Sequence, residues 1–208
     1  MLDPVRFQKV WQHFGGHDGS ALFTQLLEAY LQPHRAYHTA THLEACLRQF
    51  DLAQAEAEHP AEVEVALWFH DAVYVPNAVD NEAQSALWAT QRLQQLGVSA
   101  VVIDRIAAMI VATKHDRLPE HHDCKLLLDI DLSILGQAPE PFDAYEQCIR
   151  REYAWVPKAQ YCTGRAAILE RFLQRSTIYY TSFFRERLEA QARQNLERSL
   201  TKLRGQQF

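Results

Sequence analysis

The chain has 208 residues, 48% of them hydrophobic, which predicts one large domain over residues 1–208 with a substantial core. Its 21 basic and 26 acidic side chains leave a net charge of −5, which excludes a broad duplex-binding face while allowing a local basic pocket. Four cysteines without Cys-x-x-Cys spacing fit a reduced, cytoplasmic chain. Met1-Leu2-Asp3-Pro4 lacks the pattern of a signal peptide, and the longest apolar run, Ile106 to Ala112, is too short to cross a bilayer.

Asp3-Pro4 predicts an N-cap and first helical residue, opening a helix that stops at Gly15-Gly16. Ser20 caps a second helix with Phe23, Leu26, Leu27 and Tyr30 at helical spacing, closed by Pro33. The third runs from about Thr39 to Ala57, and Pro60 opens a fourth that reaches Trp68-Phe69-His70-Asp71. Asp80 caps a fifth, ending at Gly97, and Ser99 a sixth, extending to Thr113-Lys114-His115.

Arg117 to Asp123 is polar, contains Pro119 and reads as a loop. A short apolar helix spans Cys124 to Leu135 and ends at Gly136, and Pro139 and Pro141 mark a turn. Three further helices cover about Phe142 to Trp155, Lys158 to Arg175 and Ser182 to Arg204. No alternating strand pattern of useful length occurs, so the expected fold is an all-α, single-domain bundle of about nine or ten helices.

Chemistry gathers in two places. His38 and His42 are four residues apart, one helical turn, and His70-Asp71 closes the apolar run Val65 to Phe69. A His and an Asp side by side in apolar surroundings need a partner or a metal. His70 shares a stripe with Val63, Ala66 and Leu67, His115 with Ala108, Val111 and Ala112, and Asp131 with Leu127, Leu128, Ile134 and Leu135. Three helices each turning one such group inward point to a cation at the heart of a bundle. Asp129, about 200° around from Asp131, shares its side with Lys125 and Ser133, and reads as solvated or as polar support.

The ordered set His, His-Asp, Asp resembles the HD superfamily of metal-dependent phosphohydrolases. Tyr37-His38…His42, Ala66 to Asp71, Asp80-Asn81-Glu82…Ser85-Ala86, Ala112-Thr113-Lys114-His115, Leu128 to Gly136 and Tyr161…Gly164-Arg165 are similar to a bacterial family of predicted HD phosphohydrolases, over about Tyr37 to Tyr179. The resemblance implies that His42, His70, Asp71 and Asp131 are metal ligands and that His38 is a general acid. Ala72-Val73-Tyr74 departs from the cyclic-nucleotide phosphodiesterases, and the Gly-Tyr-Pro element of the cyclic-dinucleotide branch is missing.

The expected activity is hydrolysis of a phosphoester in a small phosphorylated metabolite, a nucleotide first among them, by a metal-activated water. One or two divalent ions per chain are expected, drawn from Mn, Fe, Co, Ni, Zn or Mg. Asp71 is placed to bridge two ions or orient the water, and His115 is a candidate second-metal ligand. Lys114 and Arg165 are candidate phosphate contacts, and Glu82 a candidate support for a ligand His. The competing readings are an HD-type di-iron oxygenase and a non-catalytic metal- or nucleotide-sensing module.

Overall fold

The computed structural model describes residues 2–205, which form ten α-helices and no strand. In chain order these are α1 (Pro4–His13), α2 (Ser20–Tyr30), α3 (Ala40–Ala53), α4 (Pro60–Phe69), α5 (Asn81–Gln95), α6 (Ala100–Ala112), α7 (His122–Asp131), α8 (Pro139–Glu152), α9 (Lys158–Gln174) and α10 (Ser182–Gly205). Short 3-10 turns cover Gln54–Glu56 and Leu132–Gly136. The all-α expectation and the helix count agree with this.

Local chemistry sets most of the boundaries. The Asp3 carboxylate accepts from the Val5 amide at 2.8 Å, capping α1. Gly15 and Gly97 take positive φ, +88° and +74°, just past the ends of α1 and α5, where a side chain would be strained. Pro139 and Pro141 do not form a separate turn but sit in the first turn of α8. The amides missing there have no helical partner in any case, so proline costs nothing at that end.

Contacts divide the chain into two compact units, one up to Ile130 and one from Asp131. The division falls at the last residue of α7. In the first unit α4 is the central element, packed against α1, α3, α5 and α6. It is buried almost all round, at Glu62, Val63 and Val65 to Phe69, as a helix whose last turns are apolar on every face must be. Trp68 meets the edges of Phe7 and Phe23, with ring centroids 5.1 and 6.0 Å away. Arg6 on α1 reaches Glu64 on α4 at 2.7 Å and Asp51 on α3 at 2.9 Å. The Asp123 carboxylate of α7 accepts from the amides of Glu58 and His59, both at 2.8 Å, and so fixes the chain just before α4.

In the second unit α10 packs on α9 and on the 3-10 turn. Asn195 donates to the carbonyls of Leu135 at 2.9 Å and Gln137 at 2.8 Å, and the Tyr179 hydroxyl donates to that of Leu132 at 3.1 Å. A Cβ on Gly136 would stand 2.5 Å from Leu188 Cβ and 2.8 Å from its carbonyl oxygen, whereas one on Gly164, inside α9, meets nothing within 4 Å. Gly136→Ala is therefore expected to lose about 1–3 kcal/mol by overpacking. Gly164→Ala is expected to gain about 0.5–1 kcal/mol from helix propensity. Urea unfolding of the two variants checks the opposite signs.

Candidate metal centre

The site begins at the end of α4. His70 follows the last helical residue and Asp71 comes next, so both stand where the helix presents its negative dipole end. His70 is 1% exposed. Its Nδ1 lies 2.7 Å from the Leu67 carbonyl oxygen. That oxygen can only accept, so Nδ1 carries the proton and, in the neutral ring, Nε2 keeps its lone pair. A backbone carbonyl holding one ring nitrogen so that the other is free is how proteins orient metal-ligating histidines.

His42 comes from the first turn of α3, with Thr39 as its N-cap residue. Its Nε2 is 3.2 Å from His70 Nε2. Asp71 Oδ2 lies 3.5 Å from the first of these atoms and 3.0 Å from the second. This oxygen is buried and has no hydrogen-bond partner. Burial opposes ionisation of the Asp71 carboxyl, but His70, His38 and His42 outweigh it and hold the group well below the usual carboxylate range.

Three buried groups in a triangle with edges of 3.0–3.5 Å, the two Nε2 atoms within hydrogen-bond reach of each other, can hold a cation among them. Donors bound to one ion at about 2.0–2.2 Å and about 90–110° apart stand about 2.8–3.6 Å from each other, so the triangle has the size of a coordination shell. A metal therefore fits the residues present. One donor atom from each of His42, Cys46 and His70 also lies within 4.8 Å of the others in that set. Asp131, the fourth expected ligand, is the last residue of α7 and the first of the second unit.

Sequence reasoning passed over Cys46, although it lies one turn beyond His42 on α3, the same spacing that drew attention to His38. Its Sγ is nearly equidistant from the two ring nitrogens of His42, 3.8 Å from Nδ1 and 3.6 Å from Nε2. The sulfur thus flanks the imidazole instead of lying along its Nε2 lone pair. Arg35 was also passed over. It is buried and donates to the carbonyls of His38, Asp71 and Ala72, and no spacing or pattern in the sequence marks it.

His38 precedes α3 and does not share a helix face with His42, because the chain is still extended at Thr39, φ −113° and ψ 176°. Its ring nevertheless reaches the site, 6.0 Å from that of His42 and stacked on Tyr74 at 4.3 Å. His115 lies beyond the end of α6 in the left-handed region, φ +55°. The stripe assigned to it is the outer one: Val111 is 44% exposed, while Ile103, Ile106, Met109 and Ile110 form the buried face. His115 belongs to neither of the convergent donor groups found among the described residues.

Lys114 is exposed. Glu82 lies in the first turn of α5, with no hydrogen bond or ion pair to a site residue among those described. Arg165, in the second unit, is buried on α9, where Nη2 donates to Glu146 and, at 2.7 Å, to the Tyr145 hydroxyl. Asp129 is fully buried, so the solvated alternative for it is replaced by an interior position.

A second donor group, Glu58, His59 and Asp123, is also close enough for an ion. Asp123 there already accepts two amides and approaches His59 Nδ1 at 3.1 Å, which explains the grouping as a cap. No helix among the described residues is long and apolar enough to cross a membrane. No family model, curated protein or solved structure matches the chain.

Proposed function

We infer that the chain is a metal-dependent phosphohydrolase that cleaves the phosphoester of a small phosphorylated metabolite, with nucleotides the first class to test. The observation that carries this reading is the triangle of buried donors, His42 Nε2, His70 Nε2 and the orphaned Asp71 Oδ2. The mixed imidazole and carboxylate ligation that these three offer suits a divalent ion. Such an ion supplies a water activated near neutral pH and offsets charge on a phosphoryl oxygen.

The chain's own residues do the rest. His70 is held in its ligating tautomer by the Leu67 carbonyl, and Asp71 stays ionised beside it. His38, stacked on Tyr74 at the rim of the donors, is the candidate to protonate the leaving oxygen. The net charge of −5 favours a small substrate over a duplex.

The test is elemental analysis of protein purified without chelator, followed by a hydrolysis screen of phosphorylated metabolites with each of the six metals. About one or two ions per chain and metal-dependent release of phosphate are expected. A chain that takes up no ion overturns the reading. A chain that binds an ion but cleaves nothing in the panel is a metal-dependent binding module instead.

A further inference from the structure

The geometry points to Arg35 as the positioning residue of this centre: its guanidinium ties the main chain at His38 to the main chain at Asp71, setting the distance between the two ligand-bearing segments. This rests on reading His42, His70 and Asp71 as ligands. Arg35 lies in the connection between α2 and α3 and is 6% exposed. Its Nη1 donates to the His38 carbonyl at 2.8 Å and to the Asp71 carbonyl at 2.7 Å, while Nη2 donates to that of Ala72 at 3.0 Å. A single nitrogen shared by two carbonyls leaves neither segment free to slide past the other.

The surroundings hold the guanidinium as tightly as it holds the chain. It lies over the rings of Tyr30 and Tyr74, 5.2 and 5.5 Å from their centroids. Tyr74 is also the ring on which His38 stacks, so the same cation steadies the support beneath the proposed acid. The Asp71 and Ala72 carbonyls stand just past α4, where carbonyls lose their helical partners and favour a cation. A planar fork satisfies these two and the His38 carbonyl from one side. A lysine ammonium has donors but no fork, and hydrates more strongly.

A helix-end cap would make these contacts without any bearing on the ligands, and the experiment separates the two roles. Arg35→Lys and Arg35→Met are compared with wild type and with Arg105→Lys. Arg105 pairs with Glu62 at the opposite end of α4, so the control makes the same substitution at an arginine that touches the same helix away from the site. The first readout, on metal-free protein, is the ring signals of His38, His42 and His70 by nuclear magnetic resonance. The second is metal affinity by chelator competition.

Expected are displaced ring signals in Arg35→Lys with an unchanged helical circular dichroism spectrum, no displacement in Arg105→Lys, and metal affinity weaker by about 10–100-fold. Ring signals that stay in place in Arg35→Lys, or move as far in Arg105→Lys, overturn the proposal and make Arg35 a cap. Arg35→Lys keeps the test decisive if Arg35→Met does not fold. A wild-type chain that binds no ion refutes the metal reading, while the ring signals still decide the role of Arg35.

Discussion

Asp71→Asn is expected to leave the chain folded and to weaken metal binding by more than about 100-fold, with turnover falling alongside. A residue that only supports a ligand costs about 10–100-fold when lost, and Asp71 Oδ2 sits directly against both His42 and His70. The amide keeps the volume but has no charge to offset an ion. It also brings an NH2 group toward His70 Nε2, which already lies 3.2 Å from His42 Nε2. The fold favours the Asp71 charge through His70, His38 and His42, so the metal-free variant is expected to be slightly less stable than the metal-free parent at neutral pH. Dialysis against a buffered metal series, together with thermal unfolding of both metal-free proteins, measures the two effects. An Asn variant that retains wild-type metal affinity would remove Asp71 from the ligand set.

Trp68→Ala is expected to produce the largest loss of stability, about 3–5 kcal/mol. Trp68 is fully buried, packs edge-on to Phe7 and Phe23, and belongs to the helix that ends at His70. For a chain of this size the loss corresponds to a melting point lower by roughly 10 °C. Its indole Nε1–H is buried without a hydrogen-bond partner, so Trp68→Phe removes an unsatisfied donor worth about 1–3 kcal/mol along with the volume. The Phe variant should therefore lose less than half as much as the Ala variant. Calorimetry on the metal-free forms checks the order, and an Ala variant within about 1 kcal/mol of wild type would contradict the central place given to α4.

The helices were legible because their signals are local. Asp3-Pro4, Pro60 and Lys158 open helices where the sequence places them, and Gly15 and Gly97 follow the ends of two others. His70 could be placed inside because the run before it, Val65 to Phe69, is apolar without a break, so no error of phase could expose it. His115 had no such protection. The apolar residues of α6 extend around most of the helix, and periodicity alone chose the outer stripe over the buried Ile103, Ile106, Met109 and Ile110. The helix also stops at Ala112, three residues short of His115.

Asp129 misled for a related reason: Lys125 and Ser133 suggested a wet side, yet Ser133 and Asp129 are both buried. The sequence reveals which residues share a helix but not what packs over them. Arg35 lies beyond either kind of signal, since its partners are main-chain oxygens, which every residue possesses.

The bond from Asp123 to the chain ahead of α4 bears on the order in which the molecule assembles. Its two acceptor oxygens reach back 65 and 64 residues to the Glu58 and His59 amides. A loop that long closes only after much of the intervening chain has found its place. During synthesis, α4 emerges from the ribosome well before the carboxylate that steadies its entrance. The start of the helix that leads to His70 is therefore expected to fray until α7 arrives.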